Sequence, residues 1–184
     1  MRIIAGEARG RIIEAPAGLN TRPTLDRVRE NIFNMLQYDI PGSRVLDLFA
    51  GSGALSLEAL SRGASDAIMV DSDRNACMIQ RKNIEKLRYT DRTRTMQCDW
   101  RKALETLSAE KTLFDMVFLD PPYAMTDLRD VFTALIPVIH TDSFVILEHE
   151  AGKEIAVSES YTKLKDRTWG FCEVSIYKII SSGG

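Results

Sequence analysis

Arg44-Val45-Leu46-Asp47-Leu48-Phe49-Ala50-Gly51-Ser52-Gly53-Ala54 is the stretch from which the fold can be read. Val45, Leu46, Leu48 and Phe49 form a near-continuous apolar run, the signature of a strand buried on both faces. Gly51 and Gly53 then permit a sharp turn, and a helix is expected over Ala54 to Ser61, with Gly63 just beyond its end. The same unit recurs downstream. Ala67 to Val70, Thr93 to Gln97, Phe114 to Leu119 and Phe144 to Leu147 read as further strands. Between them the pattern predicts helices from an Asp73 cap to about Leu87, over Arg101 to Leu107, and from Thr126 or Asp127 to about Ile136, where Pro137 intervenes. Alternating apolar strands and amphipathic helices imply an α/β fold, a parallel sheet with helices on both faces. The alternation stops in the tail. Glu154 to Lys165 and Phe171 to Ile180 are strand-like runs without a helix between them, an antiparallel hairpin at the sheet edge. Ser181 to Gly184 reads as a frayed end.

Upstream of residue 41 the pattern differs. Residues 2–4 and 11–13 are short Ile-rich runs around Gly6 and Gly10, which suggest a small β-hairpin. Residues 16–23 read as loop, and Thr24 as the N-cap of a helix running to about Gln37. We therefore divide the chain into an extension, residues 1–40, suited to positioning RNA, and a main domain, residues 41–184. With 184 residues, 45% of them apolar, the chain can bury a real core without disulfides. Its three cysteines are widely spaced and its two histidines lack partners at ligand spacing, so no metal site is expected. No signal peptide or membrane span is evident, so a cytoplasmic protein is the expectation, and, since nothing in the sequence demands a dimer, a monomer. The net charge of −2 does not advertise a nucleic-acid binder, but its distribution is uneven: residues 1–34 carry +2 and residues 81–102 carry +5. Such regions suit RNA binding and ordinary solvated faces equally well.

Four sites carry chemistry. The glycine turn, Phe49-Ala50-Gly51-Ser52-Gly53, lets a ligand approach the backbone and opens a helix N-terminus towards it. Asp47 lies in the strand just before it, and Asp71, followed by Ser72, ends the next strand at the spacing of a ribose-binding carboxylate. The third glycine of a dinucleotide motif is missing, which favours an adenosine cofactor without phosphates and with a positive end. Asp99-Trp100, at the end of the third strand, suits the adenine of that cofactor, and Asp99 is equally well placed as a helix cap. Asp120-Pro121-Pro122-Tyr123 follows a buried strand; the alternative to a catalytic turn here is a plain strand-ending turn with a buried Tyr. The Asp120 carboxylate and Pro121 carbonyl form a stiff pair of acceptors, able to hold the hydrogens of an exocyclic amine and aim its nitrogen at a methyl donor. Tyr123 can stack on an unpaired base. Finally Arg22 and Thr24, with Arg27 and Arg29, can grip phosphates or simply form a charged first helical turn. Glu148, His149 and Glu150 read as a polar strand end without a role.

These motifs, together with Arg2-Ile3-Ile4-Ala5-Gly6, Arg9-Gly10-Arg11, Arg22-Pro23-Thr24, Asp26-Arg27-Val28-Arg29-Glu30 and Glu58-Ala59-Leu60-Ser61-Arg62-Gly63, resemble the bacterial 16S ribosomal RNA guanine-N2 methyltransferases. The resemblance runs over nearly the whole chain. It implies a Rossmann-like class I methyltransferase fold, with a seven-stranded mixed sheet whose last strand is antiparallel, plus the N-terminal extension. It implies S-adenosylmethionine as cofactor, held by the glycine turn, Asp47, Asp71, Ser72, Asp99 and Trp100, and 16S rRNA or the 30S subunit as partner. Asp120 to Tyr123 would hold the target guanine, and Arg9, Arg11, Arg22, Thr24 and Arg27 the RNA. The four-residue motif alone is shared with DNA adenine and protein glutamine methylases, so an amino-methyltransferase of DNA or another RNA is the first alternative. A catalytically idle RNA-binding or assembly factor is the second.

Overall fold

The computed structural model of the protein describes residues 1–15 and 23–180. Its elements in chain order are α1 (Pro23–Met35), β1 (Arg44–Asp47), α2 (Ala54–Ser61), β2 (Asp66–Asp71), α3 (Arg74–Leu87), β3 (Thr93–Gln97), α4 (Trp100–Ala109), β4 (Phe114–Leu119), α5 (Leu128–Leu135), β5 (Ile139–Glu150), β6 (Tyr161–Trp169) and β7 (Cys172–Ile179). One seven-stranded sheet runs in the order β3-β2-β1-β4-β5-β7-β6. Strands β1 to β5 are mutually parallel, and β7 lies antiparallel between β5 and β6.

Successive residues of a strand point to opposite faces, and here both faces are apolar and covered. Phe118 and Ile146 join Phe33, Leu57 and Met116 on one side. Val117, Leu119 and Leu147 join Leu104, Phe132 and Tyr177 on the other. The extension is built into the first of these layers. Ile3, Ile13, Ile32 and Phe33 are fully buried in it, with the Phe33 and Phe118 rings 5.5 Å apart. Burying each such side chain contributes about 1.5–3 kcal/mol. The core thus runs without a gap across residue 40.

Polar contacts fix the same docking. The buried Glu58 carboxylate on α2 accepts the Ile4 and Ala5 N–H groups at 2.8 and 3.0 Å and pairs with Arg62 at 2.7 Å. Gly6 passes so close that an added Cβ would sit 1.8 Å from the Ser61 carbonyl oxygen, and its φ is +81°. Only glycine fits there.

Several boundaries depart from the sequence reading. The N-terminal hairpin narrows to a single bridge, Arg2 with Ile12. Thr24 lies inside the first turn of α1 rather than ahead of it, because Pro23 takes the first helical position. The first strand ends at Asp47 rather than Phe49, although the Leu48 N–H still donates to the Phe118 carbonyl at 3.1 Å. β5 begins early, at Ile139 instead of Phe144. The Ser143 hydroxyl donates to Phe114 O and accepts from His140 N, stabilising an irregularity that absorbs His140 to Asp142. Residues 154–160 are not strand. Ile155 and Val157 instead pack beside the second layer. The expected loop over residues 16–22 and the frayed residues 181–184 lie outside the described residues. Among the described residues no helix is long and apolar enough to cross a membrane.

Candidate active site

A cavity of about 600 Å³ opens where β1, β2, β3 and β4 end, the edge at which ligands sit in open α/β sheets. One end is formed by the glycine turn. Phe49, Ala50, Gly51, Ser52, Asp71, Ser72, Asp99 and Trp100 all line it. Several of its polar groups are already paired within the protein. Asp71 accepts the Gly51 N–H and the Asp73 N–H, both at 2.8 Å. Gln80, buried beneath, donates to Gly51 O at 3.0 Å, and the Gly53 N–H bonds to Ala50 O at 2.7 Å. The Asp71 carboxylate takes up the Gly51 N–H and puts negative charge beside the turn, a poor seat for a phosphate and a good one for a nucleoside bearing a cation. Asp99 lines the cavity, and it caps α4 by accepting Arg101 N at 2.9 Å. Trp100 is buried under the Arg101 guanidinium, 4.2 Å from its ring centre.

The other end holds Asp120, Pro121, Pro122 and Tyr123, all four on the cavity wall. The Pro122 carbonyl is engaged by Met125 N at 2.8 Å, which closes the turn. The Asp120 carboxylate opens into the cavity yet is walled round by protein. That desolvation, with the negative charges of Glu148 and Asp47 nearby, pushes its carboxyl well above the usual carboxylate range. Tyr123 is half exposed, with its phenol pushed up to about 12 by burial and by Glu148.

Glu148 is the residue the sequence reading passed over. It lies on the wall beside Asp120, and burial raises its own carboxyl too. Arg29 is another surprise: far from facing solvent, it is buried, donates to Arg2 O at 2.6 Å and to Asp26 at 3.1 Å, and borders the cavity. That arrangement corrects the reading of Arg29 as a surface phosphate grip.

Two expected cofactor contacts are placed elsewhere. Asp47 lies behind the cavity wall, fully buried, with one oxygen accepting from the Ser56 hydroxyl and N–H at 3.0 and 3.3 Å and the other without a partner. Desolvation, opposed by the Ser56 bonds and reinforced by Asp71, brings its carboxyl up to about 7. Gly53 faces inward as well: a Cβ there would meet the Met69 sulfur at 2.9 Å. Both act by shaping the turn, not by lining the cavity.

Of the residues expected on RNA, Arg9 and Arg27 line a second, shallower recess of about 950 Å³ between the N-terminal segment and α1. Arg11 is turned away, its guanidinium bonded to Lys86 O at the end of α3. Arg22 and the Thr24 side chain lie outside the described residues. Among the described residues no group of three His, Cys, Asp or Glu side chains is placed to hold a metal ion.

The chain matches, over residues 1–178, the model of the family described as "Conserved hypothetical protein 95". It belongs to that family. Among its relatives, "Putative rRNA methyltransferase YlbH" of Bacillus subtilis is 39% identical over 97% of this chain and 98% of the relative. "Ribosomal RNA small subunit methyltransferase D" of Haemophilus influenzae is 32% identical over 97% of this chain and 93% of the relative. The solved structure described as "Putative methyltransferase yhhF from Escherichia coli" superposes with a TM-score of 0.85 at 33% identity, over 97% of each chain. The fold of this family member is thus the Rossmann-like class I methyltransferase fold, as the sequence resemblance implied.

Proposed function

We propose that this protein transfers a methyl group from S-adenosylmethionine to the exocyclic N2 amine of a guanine in 16S ribosomal RNA. The observation that carries the reading is the junction, in one cavity, of a carboxylate-bearing nucleoside seat with the Asp120–Tyr123 turn. The names of the full-length relatives point the same way.

The residues present fit the cofactor. Asp71 and Asp99 face the cavity where ribose hydroxyls and an adenine amine need acceptors, and Leu48, Phe49, Leu55 and Trp100 supply apolar walls. Bound there, the cofactor supplies an electrophilic methyl carbon on a sulfonium. The chain supplies orientation. Asp120 and the Pro121 carbonyl accept the two amine hydrogens, turn the nitrogen lone pair away from the ring and aim it along the cavity. A cation in the cavity favours the charged form of Asp120, which is the form that accepts. Having accepted a methyl group, the amine nitrogen would be positive and would have a proton to shed. A carboxylate whose affinity for protons is already raised is suited to take it. Tyr123 stacks on the base, which must leave its helix to reach this depth. Arg9 and Arg27, exposed beside the cavity mouth, hold phosphates and carry no base information.

The test offers labelled cofactor with undermodified 30S subunits, naked 16S rRNA or duplex DNA. Label is expected in small-subunit RNA, free or assembled. Label in DNA alone would overturn the proposal.

A further inference from the structure

Leu119 on β4 pairs in register with Leu147 on β5. The next residues, Asp120 just past the end of β4 and Glu148 still within β5, therefore follow side by side on adjacent parallel strands, at a strand spacing of about 4.8 Å. The pleat sends both to one face. Phe118 and Ile146, two residues before each, lie in the layer with α1 and the N-terminal segment, whereas Leu119 and Leu147 lie in the other. Both carboxylates line the same cavity. No ion pair among the described residues neutralises either. The nearest help for Glu148 is the Cys172 thiol, a weak donor. Two adjacent acceptors of like charge, walled by protein and left uncompensated, are complementary to a ligand with two adjacent donors.

Among the four RNA bases only guanine has such an edge. Its N1–H and its N2 amine are neighbours. Adenine and cytosine place a ring acceptor next to the amine, which a second carboxylate would repel, and uracil has no amine. Resting on the methyltransferase reading above, we propose that Glu148 accepts the N1–H of the target guanine while Asp120 holds its N2 amine. Glu148 then makes the site selective for guanine among the bases that carry an amine. Selection by an unpaired acceptor is severe, because the wrong base leaves a buried charge facing a lone pair. It also requires the guanine to be unpaired, since both donors are used in a Watson–Crick pair.

The experiment compares 30S particles reconstituted with guanine or with 2-aminopurine at the methylated position. 2-Aminopurine keeps the amine but has an acceptor at N1. The wild type is expected to prefer guanine by at least about tenfold in kcat/KM, and Glu148→Ala and Glu148→Gln to shrink that preference by about tenfold. Loss of the guanine O6 affects all three proteins alike, so the change in preference isolates the N1 contact. A merely structural Glu148 would lower both rates and leave the preference unchanged, which overturns the inference. Glu148→Gln preserves shape should the alanine variant fail to fold, and calorimetric cofactor binding reports that it has folded. A wild type that methylates no guanine substrate at all would instead overturn the function proposed above.

Discussion

The two ends of the cavity are built on opposite principles. At the glycine turn each carboxylate is tied to backbone: Asp71 accepts two N–H groups and Asp99 caps a helix. At the base end Asp120 and Glu148 face each other without a cation, and burial raises both carboxyls. The first end is shaped before any ligand arrives and binds with little reorganisation. The second carries an electrostatic cost that only a cation or a pair of donors relieves. The difference assigns affinity to one end and discrimination to the other.

The comparison breaks most visibly at Asp120. Asp120→Ala is expected to lower kcat by about 10³-fold or more while cofactor affinity, measured by calorimetry, stays within about threefold. Turnover at the wild-type rate would show that the base end does not orient the amine. A smaller effect is expected at the other end. Asp71→Ala removes the acceptor for Gly51 and Asp73, and cofactor Kd should rise about 10–100-fold, with kcat at saturation much less affected. An unchanged Kd would mean that the turn holds its shape without Asp71.

The last effect is on stability rather than on turnover or binding, and concerns the wall between the ends. The Asp47 carboxyl is held at about 7, above its unfolded value of 3.8. A raised carboxyl stabilises the fold fully below the unfolded pKa, and that contribution is lost as pH rises through the folded one. Asp47→Asn, which cannot ionise, should therefore gain stability over the wild type between about pH 4 and 8, by up to about 4 kcal/mol. Thermal melts across that range check it. Parallel curves would show that Asp47 does not titrate as its burial requires.

Much of this was legible in the sequence where one strand carries its own punctuation. β3 spans Thr93–Gln97 and α2 spans Ala54–Ser61 as expected, β4 falls where its apolar run lies, and the Asp120 turn lies where two prolines forbid a strand. That Phe49 to Ser52, Asp71, Asp99 and Trp100 gather on one cavity wall was also legible, because they follow consecutive strand ends. Glu148 was not. In Leu147-Glu148-His149-Glu150 nothing local marks it, and its meaning depends on the register of Leu147 against Leu119. Asp47 and Arg29 failed for a related reason. A charged residue beside a site suggests contact with ligand, and only packing reveals that Asp47 lies behind the wall and that Arg29 anchors the N-terminal segment. The domain boundary at residue 40 marks a change in sequence pattern, but Ile3, Ile32 and Phe33 carry the core straight across it.

The most direct test of the account is the chemical identity of the product. Undermodified 30S subunits are treated with labelled cofactor and either the wild type or Asp120→Ala, the RNA is digested, and the labelled nucleoside is separated. The account predicts N2-methylguanosine from the wild type and none from the variant; N6-methyladenosine, or equal label from both proteins, would contradict it.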